Sequence, residues 1–483
     1  MAAGPLYSFG PFQLDAGARR LTRDGAALPV PARHLDVLAA LIARAGTVVA
    51  KNALVEAAWP DVAVTDNSLE QAVSGLRRAL GPAPGGDTYI QTLPRQGYRF
   101  NETVRTESAR ASDAELESLI APHRAWVEGR AALESLDAGR IARARAAFET
   151  VLQANPADAI AHVGLANAYV MQFETTRASG SPDVASLAAA ARHAREACRL
   201  DPRSGEAWAT SGFVLDRTGH GVDATAALGR AVSLEPDNWR HHFRLSFVSW
   251  GEARLREARR TLALLPGLPL AHWLAATVHV ARQNLDEAEV ELRAGLESMQ
   301  ATGGEAAKFP GVALEWLLGL IELARGAEDA ALVCFERELA LEGQNHLYGR
   351  ECCANSWYAI GAVHLRRRQR DDGARAFRQA LDRVPRHPAA VALAVGALDQ
   401  GATAPAMSSV SSSVSAVDRA LADAVARVAA GASAEAAGIM ARALASCEPG
   451  SHGWWLPVEP MLGVVAQPDT WAPVLAQLRS RAS

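Results

Sequence analysis

The spacing of apolar residues changes twice along the first hundred positions. "LYSFGPFQL", "RRLTRDG" and "AALPV" are short β-like runs separated by turn residues, and they predict a strand-rich start. Helical periodicity follows in "RHLDVLAALIARAG", "KNALVEAAW" and "SLEQAVSGLRRALG". In the last of these, Leu69, Ala72, Val73, Leu76 and Leu80 fall in one stripe, while Asn67, Gln71, Ser74 and Arg78 lie opposite. Asn67 with Glu70 three residues on reads as a capping-box start, and Gly81-Pro82 reads as a stop. "TYIQTLPRQGYRF" returns to strand texture as a hairpin. Its tip runs from Pro94 to Gly97 and carries Arg95, and Arg99 sits on the returning strand.

A polar stretch without apolar periodicity, residues 105–118, predicts a linker, and from about Leu119 the texture is alanine-rich helix almost to the end. This region repeats itself. Ala144, Ala190 and Ala224 are followed at a fixed offset by Pro156, Pro202 and Pro236. The unit is about 34 residues long, with an insertion around "FETTRASGSPD". Trp208, Gly212, Ala224, Leu228, Ala231 and Pro236 fall at the spacing of a tetratricopeptide repeat, and Trp357, Gly361, Phe377, Ala380 and Pro385 form a later copy. Roughly seven to nine helix pairs are predicted, stacked into a superhelix with a concave face. The Ser-rich stretch 401–418 interrupts the pattern and is expected to be a mobile loop. The Trp- and Pro-rich residues 451–483 are expected to cap the open end.

The expected fold class is therefore mostly α, an N-terminal α+β domain over 1–104, a linker over 105–118, a helical solenoid over 119–450 and a capping segment over 451–483. A length of 483 residues with 49% hydrophobic content is enough for several cores. The net charge of −4 is unevenly informative, because residues 1–104 carry ten Lys/Arg against nine Asp/Glu, so any basic surface must come from local placement. Lys51 and Lys308 are the only lysines and neither follows a glycine, which removes the phosphate-cradling Gly-Lys-Ser/Thr motif. Five cysteines, two of them the adjacent Cys352 and Cys353, are expected to be buried thiols. His241, His242, His272 and His279 crowd neighbouring repeats, but without accompanying carboxylate or cysteine spacing they are expected to pack and to bind no metal. No nucleophile elbow, zinc helix or paired acids appear, so neither an enzyme nor a cofactor is expected. The N-terminus lacks the pattern of a leader and no apolar run approaches a membrane span, so a cytoplasmic protein without membrane contact is expected.

The order of strands, three helices and hairpin, together with "AWPDVAVTDNSLEQAVSGLRRALG" and "YIQTLPRQGYRF", resembles the OmpR/PhoB-type winged-helix DNA-binding domain, particularly its ToxR/CadC-like members with that domain at the N-terminus. The resemblance covers about residues 6–101. It implies that the third helix, 67–80, enters the major groove and that the hairpin wing, 88–101, reaches the minor groove. It places Asn67, Glu70, Gln71, Ser74, Arg77 and Arg78 on the groove side of the helix, and Arg95 and Arg99 on the wing. Gln71 suits an adenine edge, Arg77 or Arg78 a guanine or phosphate, and a wing arginine a narrow minor groove. Ser74-Gly75 stands where many relatives carry a basic residue, and Gln96 replaces a common Gly or Arg, so few phosphate contacts and a need for dimers or tandem sites are expected. No receiver-like segment precedes the domain, so aspartyl phosphorylation is not expected. The partners expected are double-stranded promoter DNA, a protein or peptide on the concave face, and a second copy of the chain. The competing expectation is a non-catalytic scaffold whose winged helix binds protein.

Overall fold

The computed structural model describes residues 5–59, 66–83, 86–107, 113–179, 181–300, 309, 311–385, 387 and 416–483. The chain divides into two compact units, Met1–Ile120 and Ala121–Ser483.

The first unit opens on an antiparallel sheet of β1 (Leu6–Phe9), β2 (Phe12–Asp15), β3 (Arg20–Arg23), β4 (Ala26–Ala27) and β8 (Arg105–Glu107), ordered β4-β3-β2-β1-β8. Helices α1 (Ala32–Ile42), α2 (Lys51–Ala58) and α3 (Asp66–Leu80) follow. A second antiparallel sheet joins β5 (Val48–Val49), β7 (Gly97–Phe100) and β6 (Ile90–Leu93) in that order. One core unites them. Phe9, Phe12, Tyr89 and Phe100 meet with ring centroids 5.0–6.1 Å apart, and Leu38, Leu54, Leu69 and Leu76 close over them with no exposed surface. The linker expected from residue 105 begins instead as strand, because Arg105–Glu107 pairs with β1 (Ser8 opposite Arg105, Leu6 opposite Glu107) and satisfies an edge that would otherwise be open. Helix α4 (Asp113–Glu134) covers the end of that expected linker, residues 113–118.

The second unit is a stack of helix pairs. Helices α5 (Ile141–Ala154) to α17 (Arg370–Arg383) pack mainly with their chain neighbours: α6 (Ala159–Thr176) with α7 (Val184–Leu200), α8 (Gly205–Arg217) with α9 (Gly221–Leu234), α10 (Trp239–Val248) with α11 (Glu252–Leu264), α12 (Pro269–Ala281) with α13 (Leu285–Gln300), α14 (Leu314–Ala324) with α15 (Glu328–Ala340), and α16 (Gly349–Arg366) with α17. Helices α18 (Ala416–Ala429), α19 (Ser433–Ser446) and α20 (Ala472–Arg481) complete the described chain. Three of the pairs, α8–α9, α14–α15 and α16–α17, interlock through a glycine in the first helix and a large side chain in the second. A Cβ on Gly212, Gly319 or Gly361 would lie 2.6, 2.5 or 2.3 Å from the side chain of Leu228, Phe335 or Phe377 respectively. These are the small and large positions of the repeat, and the close approach is why the small one must be small. The expected Ser-rich loop lies outside the described residues except for Ala416–Asp418, which open α18.

Three of the prolines that end repeats have a second use. Six residues beyond Pro156, Pro202 and Pro236 stand His162, Trp208 and His242, and each brings a ring nitrogen to that proline's carbonyl oxygen, at 3.2, 3.0 and 2.9 Å. His162, and His242 from the crowded set, thus do the work of a tryptophan N–H. Although no carboxylate spacing along the chain marks a metal site, Glu235, Glu257 and Glu291 lie 2.9, 2.8 and 2.7 Å from ring nitrogens of His241, His242 and His272. Glu257 and Glu291 sit on the following helix, whereas Glu235 lies at the end of the preceding one, six residues before His241. Among the described residues no cluster of three or more metal-ligating side chains occurs. The cysteines are free thiols; burial pushes those of Cys334 and Cys353 up to about 12.

Residues 451–483, expected as a cap, pack against two sets of helices. Leu456, Leu462, Trp471 and Leu478 pack with α18 and α19, and Val458 joins a core built from α12 to α17.

Gly97 sets the register of the small sheet. Its φ is +139°, and a Cβ there would lie 2.0 Å from the carbonyl oxygen of Val49. Gly97→Ala is therefore expected to destabilise the first unit by roughly 2–4 kcal/mol, measured by urea unfolding of the full chain. A change within 0.5 kcal/mol would contradict this packing.

Candidate nucleic-acid interface

Helix α3 divides its residues sharply. Leu69, Ala72, Val73, Leu76 and Leu80 are buried, whereas Glu70, Gln71, Ser74 and Arg78 are exposed. The helix begins at Asp66, a residue ahead of the expected cap, so Asn67 stands inside its first turn, with its side chain outside the described residues. The end is as read: Gly81 at φ +70° donates its N–H to the Arg77 carbonyl at 2.9 Å.

The exposed face is held by three ties. Lys51 of α2 reaches Glu70 at 3.0 Å, which pins the helix start and draws Glu70 into an ion pair. The Cβ position of Gly75 lies 2.9 Å from two ring atoms of His34 on α1, so α1 crosses α3 where a longer side chain would have to displace the imidazole. The third tie is Arg77. Its Nε and Nη2 donate to the Ile90 carbonyl at 2.9 and 2.8 Å, and Nη2 also donates to Thr92 Oγ1 at 2.7 Å. Arg77 therefore departs from its expected groove-facing role. It clasps α3 to the first strand of the wing, and the cationic side chain left outward in the last turn is Arg78.

The wing is β6 and β7, with Ile90 opposite Phe100, Gln91 opposite Arg99 and Leu93 opposite Gly97. Gln96 N–H closes the turn onto Leu93 O at 3.1 Å. Pro94 and Arg95 are its central residues, and Arg95 has φ +64°, a left-handed conformation that glycine would adopt without cost. Its exposed side chain stands at the tip. Arg99 lies flatter on the hairpin, with Nε on Asn101 Oδ1 at 2.9 Å and Nη2 on Gln91 Oε1 at 2.6 Å, and is partly covered. Gln71, Ser74 and Arg78 on the helix and Arg95 on the wing are thus the outward polar groups, with Glu70 and Arg99 beside them in local pairs. Sequence reasoning missed Lys51, Thr92 and His34 as the groups that hold this surface, because each acts across the fold.

Residues 25–100 match the family described as "Transcriptional regulatory protein, C terminal", and residues 135–179 match "Tetratricopeptide repeat". The N-terminal unit is an OmpR/PhoB-type domain. Its relatives include the transcriptional regulator HilA of Salmonella typhimurium, 38% identical over 84 residues, which are 17% of this chain and 15% of HilA. The transcriptional activator CadC of Escherichia coli is 26% identical over 97 residues, 20% of this chain and 19% of CadC. The likeness to both is thus confined to less than a fifth of their length. Among solved structures, the DNA-binding domain of Escherichia coli CadC matches at 25% identity, covering 22% of this chain and 100% of that one, with a TM-score of 0.20.

Within the OmpR/PhoB-type domain the two neighbouring arginines should separate cleanly. Arg77→Ala is expected to lower stability by about 1.5–3 kcal/mol through three lost charge-assisted hydrogen bonds, whereas Arg78→Ala should stay within about 0.5 kcal/mol. Thermal unfolding of both variants checks this, and equal effects would show that the clasp contributes nothing.

Proposed function

We propose that the chain is a transcriptional regulator whose N-terminal domain binds promoter DNA with α3 in the major groove and the β6–β7 wing along the adjacent minor groove. The observation that carries the reading is the outward set Gln71, Ser74, Arg78 and Arg95, presented by two elements that Arg77 locks in fixed relation. Gln71 has the amide geometry for adenine N6 and N7. Ser74 donates to a base edge or phosphate, Arg78 neutralises phosphate or pairs with guanine, and Arg95 enters the negative potential of a narrow minor groove. Glu70 and Arg99 bound the surface, and Asn67 belongs to the same groove-facing face by its place in the sequence. The left-handed Arg95 supports this use, since it holds a charge at the tip of a turn that glycine would relax.

With few basic residues on the surface, one domain makes few phosphate contacts, and pairing of two copies or tandem sites supplies the rest. The repeats bind a protein or peptide on their inner face, and so bring a signal to the DNA-bound chain. No described helix is long and apolar enough to cross a membrane, and the DNA-binding reading places the protein in the cytoplasm.

Binding of the full chain to its own upstream DNA and to random DNA, titrated at two salt concentrations, tests the reading. The expected outcome is a preference for the upstream sequence that weakens as salt rises, and a Arg78→Ala, Arg95→Gly variant that folds normally but loses most of its affinity. Salt-independent binding, or none, would instead favour a scaffold whose winged helix meets protein.

A further inference from the structure

The first helices of successive pairs pack directly on one another, α6 on α8, α8 on α10, α10 on α12, α12 on α14 and α14 on α16, and this closer spacing puts them on the inner side of the coil. Over α12, α14 and α16 that inner side is covered. Trp454 stands edge-on to both Trp273 of α12 and Trp316 of α14, with centroids 6.0 and 6.5 Å away and ring planes at 89°. Four residues on, Val458 is 2% exposed among side chains of α12 to α17, including Leu317, Leu320 and Ile360. Glu459 follows, buried, and its Oε1 accepts from the Tyr358 hydroxyl of α16 at 2.7 Å. Arg366 of α16 donates to the Pro460 carbonyl at 2.8 Å.

The chain end is fastened at a second place. Arg282 donates from Nε and Nη2 to the Ala482 carbonyl at 2.9 and 2.6 Å, and Gln283 donates to Leu475 O at 3.2 Å. Ala482 has no exposed surface and packs with Leu255, Ala258, Ala275 and Val278 of α11 and α12.

The covering element has a core of its own. Val417, Leu421 and Val425 of α18 and Met440 and Leu444 of α19 cluster with Leu456, Leu462, Trp471, Val474 and Leu478. Residues 416–483 are therefore a module with an internal core, joined to the repeats by the Trp454 ring, the buried Val458, the Glu459 carboxylate and a set of backbone carbonyls.

We propose that residues 416–483 are a tethered plug: they occupy the inner face of α12, α14 and α16 with the segment 453–462, and their release opens that face to a partner protein segment of the same chemistry, a tryptophan followed five residues later by a carboxylate. The apolar floor takes the aromatic ring, and Tyr358 takes the carboxylate. This rests on the reading of the inner face as a partner surface. A plug of this kind lowers the apparent affinity of a competing segment by the fraction of molecules in which it is released.

The test uses the full chain and a labelled synthetic peptide with the sequence of residues 453–462, GWWLPVEPML. Trp454→Ala with Glu459→Ala weakens the tethered segment and leaves the inner face intact. Arg282→Ala loosens the Ala482 end, losing besides only the exposed ion pair to Glu252 of α11 among its described partners, and guards against a misfolded double variant. Both variants are expected to bind the peptide about tenfold more tightly than the unaltered chain. Amide hydrogen exchange should rise in 416–483 and along α12, α14 and α16, and stay unchanged in α5–α9. Equal peptide affinities, or no binding by any of the three, would overturn the plug. So would exchange rising uniformly through the repeats, which makes the segment ordinary core, or variants that form dimers and still exclude the peptide, which assigns the face to a second copy. None of these readouts involves DNA or a cellular partner. Failure of the transcriptional reading, or of partner capture, is therefore recorded separately.

Discussion

Everything the N-terminal unit offers to a ligand depends on α3 being anchored on one side. Its apolar stripe fills the core shared by both sheets, so the helix cannot roll without exposing Leu69, Val73, Leu76 and Leu80. Arg77 adds direction to that burial. A guanidinium that spends three hydrogen bonds on Ile90 and Thr92 couples the helix to the hairpin, and the polar face and the wing tip move as one object. Such preorganisation lowers the ordering cost of binding, which matters for a surface with few cationic groups.

The solenoid obeys a different constraint, the pairing of a missing side chain with a large one. Gly212, Gly319 and Gly361 admit Leu228, Phe335 and Phe377 to the helix backbone, and the carbonyls of Pro156, Pro202 and Pro236 are each met by a ring N–H from the next first helix. These contacts are local, so each pair is specified nearly independently of the rest. Longer-range ties then close the coil. The turn before α5 meets the turn before α16, where Ala138 and Leu347 N–H groups bond Asn345 and Leu136 carbonyls at 3.0 and 2.7 Å.

Sequence legibility follows the same division. The α3 stripe, the hairpin, its turn and the repeat unit were readable because each is a pattern within some forty residues, fixed by helical or strand period. Strand β8 was not, since nothing in "RTE" marks an edge that needs a partner about a hundred residues earlier. Arg77 and Arg78 are adjacent and chemically identical, and only the position of Ile90 tells the clasp from the outward charge. The Trp- and Pro-rich C-terminus announces burial by composition, yet what it is buried against lies about a hundred residues or more away, at Tyr358, Arg282 and Trp273.

The central claim is that α3 reads bases, and a change in preference tests it more directly than a loss of affinity. Selection from random duplex DNA by the full chain and by Gln71→Ala would be compared. The account predicts that both select related sites and that the variant loses discrimination at one position, an adenine read by the amide, by a factor of about 10. Unchanged preference at every position, or no selected site for either protein, would contradict it.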